Sequence, residues 1–155
     1  MTDDNASAAP RPEPAPEKAP RDPADTLNMA LLVYIAVSAI LALPILLFPS
    51  QFFDFVGVED RVAAELDAWR WVGAMLLAWA VGAVLVLARP AGRAIFVTIG
   101  AVQLSFGAAT MAYSWAAGER MGSATWHGIA TLLLAAAAAV MWWARFRARR
   151  VLASG

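Results

Sequence analysis

Few side chains in this chain have the chemistry to react, bind an ion or move a proton, and they lie far apart. Arg70 sits between Trp69 and Trp71 in AELDAWRWVGAMLLAWA, three residues after Asp67. That i,i+3 spacing puts both charges on one helix face and permits an ion pair. An arginine so placed serves an active site, an ion pathway, or the frame of a membrane helix, where its long stem reaches the headgroups. Gln103, in IGAVQLSFGAATMA, shares a helical face with Gly100 and Gly107. A small-residue face with one amide favours an interhelical hydrogen bond over a substrate contact. His127 is the single histidine, beside Trp126 and one turn before Thr131. A lone histidine cannot supply two axial haem ligands, and no cysteine or acid cluster accompanies it for zinc. A hydrogen-bonded histidine at an interfacial helix end is the expectation, with general base or pH sensor as the alternative.

The surrounding residues add little reactivity. Ser105, Thr110 and Thr131 can bond back to their own helix, which implies no nucleophile. The chain has no Ser/His/Asp pattern, phosphate loop or metal signature, so neither a metal nor a cofactor is expected. Cysteine is absent, which removes disulfides, thiolate metal sites and thiol redox chemistry. The formal net charge is +0, which makes no case for nucleic acid.

The elements that position these residues are membrane helices. Of 155 residues, 61% are hydrophobic and 15% charged, whereas soluble domains are nearer one-half and one-quarter. Four apolar runs predict spans at about 27–48, 69–88, 94–117 and 123–144, each about the 20 residues that a hydrocarbon core requires. No carboxylate falls within them, which counts against proton- or cation-coupled transport. The fold class is therefore all-α, an up-down four-helix membrane bundle covering 27–147. Residues 1–26 read as a disordered Pro/Ala-rich tail, and 148–155 as a basic one. The first tail is too long and acidic for a secretory signal.

Punctuation supports these bounds. Pro49 closes the first span and Pro44 can kink it. RPAGR and AGERMGS make tight turns, so the second, third and fourth helices are expected as antiparallel neighbours. The first loop is longer: Phe52, Phe53 and Phe55 suggest an interfacial segment, and VEDRVAAELDAW an amphipathic lead-in to the second span. Small residues Gly73, Ala78 and Gly82 suit close packing within the second helix's seam, as do Gly100 and Gly107 in the third. Phe48, Trp69, Trp71, Trp115 and Trp126 form one aromatic belt, Trp142 and Trp143 the other. Trp79, in mid-span, is expected to pack against lipid or a neighbour.

Arg89, Arg93, Arg145, Arg147, Arg149 and Arg150 fall at one end, with Arg11, Lys18 and Arg21 of the leader. The positive-inside rule then puts both termini in the cytoplasm and the acidic first loop outside.

Three stretches carry a family resemblance: FPSQFFDFVGV closing the first helix, AWRWVGAMLLAWAVG opening the second, and the Arg/Pro/Gly turn before the third. From Leu27 to Arg147 the layout resembles small bacterial four-helix membrane proteins of the DoxX-like kind. Some such proteins are associated with quinone-linked or thiol-related oxidation. A chain with no cysteine and one histidine departs from that chemistry.

Taken by its residues, the chain is a non-catalytic accessory or scaffold subunit in the lipid bilayer, as a homo-oligomer or in a larger membrane complex. The alternative is binding or transport of a lipophilic molecule, a quinone or lipid, in a cleft lined by Tyr34, Ser38, Trp79 and Gln103, with Arg70 and His127 at its mouth. A DoxX-like membrane oxidoreductase component is the third reading.

Overall fold

The computed structural model describes residues 22–58, 62–89, 93–118 and 122–149. The proline-rich leader, Arg150 and the last five residues lie outside these, as do Arg61, Arg120 and the centres of the two tight turns. The described residues form helices and connections with no strand. The helices are α1 Pro23–Leu47, α2 Pro49–Val56, α3 Ala63–Ala88, α4 Arg93–Ala116 and α5 Ala124–Arg147. All but α2 are long and apolar enough to cross a membrane.

Local chemistry explains most boundaries. Asp22 accepts the Ala24 N–H at 2.9 Å, and Pro23 follows at the first helical position, where its missing N–H costs nothing. Helix α1 therefore starts four residues before the expected span. It ends at Phe48, whose ψ of 53° leaves the helical region before Pro49. Pro49 then opens α2, an amphipathic helix of about two turns whose Pro49, Phe53 and Val56 are buried. Gly57, at φ +83°, stops it. The Val58 N–H reaches the Phe53 carbonyl and the Gly57 N–H the Asp54 carbonyl, a pairing that needs a left-handed residue. The phenylalanine segment is thus a helix of its own. Of the expected helical lead-in, residues 63–69 continue directly into α3, where Glu65 accepts the Val62 N–H at 3.3 Å.

One expectation about packing is overturned. The tight turn makes α3 and α4 antiparallel, but they are not close neighbours. The main seams are α1 with α3, α4 with α5, and α1 with α5. A short loop sets direction, whereas close approach needs small residues at the contact. At Gly73 an added Cβ would stand 2.9 Å from the Leu46 amide nitrogen and 3.0 Å from the Ala42 carbonyl oxygen, so α1 lies directly on it. Ala80 and Ala83, also buried, extend that face by helical spacing. Ala78 is on the exposed face instead. Between α3 and α4 stands the Phe96 ring, against Gly82 and 5.6 Å from the Trp79 ring. Large side chains hold those two backbones apart.

Candidate functional site

The mid-bundle polar groups serve each other. The Tyr34 hydroxyl of α1 donates to Gln103 Oε1 of α4 at 2.5 Å, and buried Ser38 is a further hydrogen-bond partner of that hydroxyl. The Tyr34 ring lies edge-on to Phe96 at 6.0 Å and against the place a Gly100 side chain would fill. Met141 of α5 meets Gly100 there as well. Gly107, further along, faces Leu134. Nearby, Trp142 Nε1 donates to Ser105 Oγ at 3.0 Å, and Ser105 donates to the Ala101 carbonyl. Donors in hydrocarbon need internal partners, and this layer supplies them for the Tyr34 hydroxyl, the Ser105 hydroxyl and the Trp142 indole. It ties α1 to α4 and α4 to α5.

A cavity of about 180 Å³ lies at the α2 end of the bundle. Leu41 and Ile45 of α1, Phe52 and Phe53 of α2, Trp69 and Leu76 of α3, and Trp126 and His127 of α5 contribute to its wall. The amphipathic pattern of α2 puts Phe53 over this space, 2% exposed and 5.3 Å from the Trp69 ring. Phe52 stacks edge-on with both Phe53 and Trp126. The short helix is anchored by the chain ahead of α5. The Ser123 N–H donates to the Val56 carbonyl at 2.7 Å, while the Ser123 hydroxyl caps α5 by accepting from Trp126. Gly122, at φ +77°, passes close beneath that same carbonyl, where a side chain would collide.

His127 is part of this wall and is only 2% exposed. Its Nε2 lies 2.7 Å from the Met111 carbonyl of α4. A carbonyl only accepts, so Nε2 carries a proton and donates it there. Nδ1 is buried and has no partner among the described residues. Trp115 lies edge-on to the imidazole at 6.1 Å, its ring tip resting on Gly128.

The residues singled out from sequence thus fall in different places. Tyr34, Gln103 and Gly100 meet in the polar layer, and Trp79 packs on Phe96. His127 alone of them lines the cavity. Arg70 is outside its wall, half exposed and 4.0 Å from Asp67. Such an exposed pair contributes about 0.3 kcal/mol, and the arginine frames the helix entry. The cavity wall itself was hidden in sequence, because Phe52, Phe53, Trp69 and Trp126 look the same whether they face headgroups or one another. The available signal was the i,i+4,i+7 spacing of Pro49, Phe53 and Val56. Among the described residues, no group of three His, Asp or Glu side chains could hold a metal ion. Comparison with protein-family models, with curated proteins and with solved structures gives no match.

Proposed function

We propose that this chain is a multi-pass inner-membrane protein that binds the apolar portion of a lipophilic molecule in the cavity beneath α2. One observation carries the reading: a void lined almost wholly by aliphatic and aromatic side chains, under a helix of its own. A comparable engineered apolar cavity of about 150 Å³ stays dry and takes up benzene. A void of about 180 Å³ therefore suits one ring or a short branched segment of a larger molecule, such as the chain of a lipid or an isoprenoid quinone. The polar layer around Tyr34 and Gln103 then has a structural role, holding the helices that frame the void. In the membrane, Arg89, Arg93, Arg145, Arg147 and Arg149 favour the cytoplasm for their end, leaving α2 on the outer side.

The test is purification of the full chain in mild detergent, followed by native mass spectrometry of what co-elutes. A stoichiometric neutral lipid or quinone is expected, and Ala130→Phe, which fills the cavity wall, should displace it without loss of fold. Retention of the same molecule by Ala130→Phe would sink the cavity as its site. Co-elution of a protein partner with no small molecule would favour the accessory-subunit reading instead.

A further inference from the structure

At the opposite end of the bundle, α4 and α5 enclose a second groove, about 260 Å³, lined by Ala94, Ile95, Thr98 and Ile99 together with Arg145. It shares no residue with the cavity beneath α2, and its chemistry is different. The Thr98 hydroxyl donates to the Ala94 carbonyl of its own helix at 2.7 Å, which commits its proton. Its oxygen is then oriented to accept, and Arg145 Nε donates to it at 2.7 Å. The guanidinium is pinned along one edge and also lies 5.9 Å from the Trp142 ring centroid. Its remaining N–H groups, on Nη1 and Nη2, make no hydrogen bond to the described residues. That is the planar fork that matches two oxygens of a phosphate.

The surroundings say what kind of phosphate. Arg147 at the end of α5 and Arg149 just past it lie over the rings of Trp143 and Phe146 at 5.4 and 4.8 Å. Arg93 at the start of α4 donates only to the Val86 carbonyl, at 3.4 Å. Among the described residues none of these arginines is ion-paired. Asp22 and Asp25 stand at the same end of the bundle, at the start of α1, and Asp22 is engaged there as a helix cap. The groove's other wall is apolar, with Ile95 68% exposed. On a membrane-spanning helix that wall faces acyl chains, so an amphiphile engages both halves of the groove while a soluble anion engages only the guanidinium.

We propose that this groove binds the phosphodiester of an anionic phospholipid. One phosphate straddles Nη1 and Nη2 of Arg145, and an acyl chain runs along Ile95 and Ile99. The neighbouring arginines set the preference for a net negative headgroup over a zwitterionic one, since arginines with no ion pair among the described residues attract anionic lipid. Thr98 is a positioning residue that holds the fork open toward the groove.

Phosphatidylglycerol, phosphatidylcholine and inorganic phosphate are titrated separately into the purified full chain in neutral detergent, with bound species counted by native mass spectrometry. Retention of phosphatidylglycerol well above the other two is expected. Arg145→Gln should weaken it about tenfold, the size expected for losing a charged, two-bond contact. Arg145→Lys keeps the charge without the fork and should fall between. Thr98→Val, which leaves every arginine in place, should weaken retention severalfold, and Arg70→Gln at the other end should leave it unchanged. Equal binding of phosphatidylcholine, saturation by inorganic phosphate, or full retention by Arg145→Gln would overturn the assignment. Full retention by both Arg145→Lys and Thr98→Val would replace a fixed site with diffuse attraction and overturn it equally.

Discussion

The two ends of this bundle meet their surroundings in opposite ways. At the α2 end the chain folds an extra helix over the helix tips, turns aromatic rings inward, and buries a histidine with one nitrogen unpartnered among the described residues. At the other end no helix among the described residues covers the tips, the aromatic rings carry arginines, and a pinned guanidinium faces an open groove. The seams differ to match. Near α2, helices α1 and α3 touch backbone to backbone at Gly73. Toward the arginine end, α3 and α4 are separated by Phe96, which rests on Gly82. A covered end therefore depends on close backbone fit and an open end on adaptable side chains.

The sharpest way to break that comparison is to put the same methyl group into both seams. Gly73→Ala forces apart two helix backbones that cannot yield, and should lose about 3 kcal/mol of stability. Gly82→Ala meets only a ring edge 2.9 Å away, which can rotate aside, so its cost should stay near 1 kcal/mol. Thermal unfolding of both variants in one detergent decides the point; equal losses would remove the distinction between the seams. The middle layer comes next in size. Gln103→Leu leaves the Tyr34 hydroxyl short of an acceptor and should cost roughly 1–2 kcal/mol. The double change Gln103→Leu with Tyr34→Phe should recover part of that loss, because the orphaned group is gone.

A smaller effect is expected at His127. His127→Leu removes the bond to the Met111 carbonyl but also removes the buried, partnerless Nδ1, so the two terms oppose and the net change should lie within about 1 kcal/mol. A loss of several kcal/mol in the same unfolding assay would mean that Nδ1 has a partner in the membrane. The smallest change is Arg70→Ala, expected to shift stability by about 0.3 kcal/mol at most in moderate salt. A larger, salt-sensitive loss would make Arg70 part of the covered end instead of its frame.

The contrast also shows which features could be read before any coordinates. Charge-free runs of about 20 residues specify membrane helices, because hydrocarbon tolerates little else. Gly73 was legible as a packing residue, and so was the Asp67–Arg70 spacing. Gln103 was legible as an interhelical hydrogen bonder and shared an expected cleft with Tyr34, but the direct bond between them, 69 residues apart, was not. Ala78 and Ala80 illustrate the limit. Both are small residues on the same helix, and only the direction of α1 decides that Ala80 is buried while Ala78 is exposed. Gly128 escaped notice because the residue it makes room for, Trp115, is on another helix.

By itself the sequence determined the number of long helices, the ends at which charges and aromatic rings collect, and the absence of thiol chemistry. Those properties depend on composition along one segment and its transfer into a fixed thickness of hydrocarbon. Tertiary structure decided that α1, not the sequence neighbour α4, is the close partner of α3. It also decided that the phenylalanines of the first loop cover a cavity and that Arg145 is held by Thr98. These are contacts between distant segments, where equally apolar faces have equal affinity for lipid and only shape and hydrogen-bond fit choose among them.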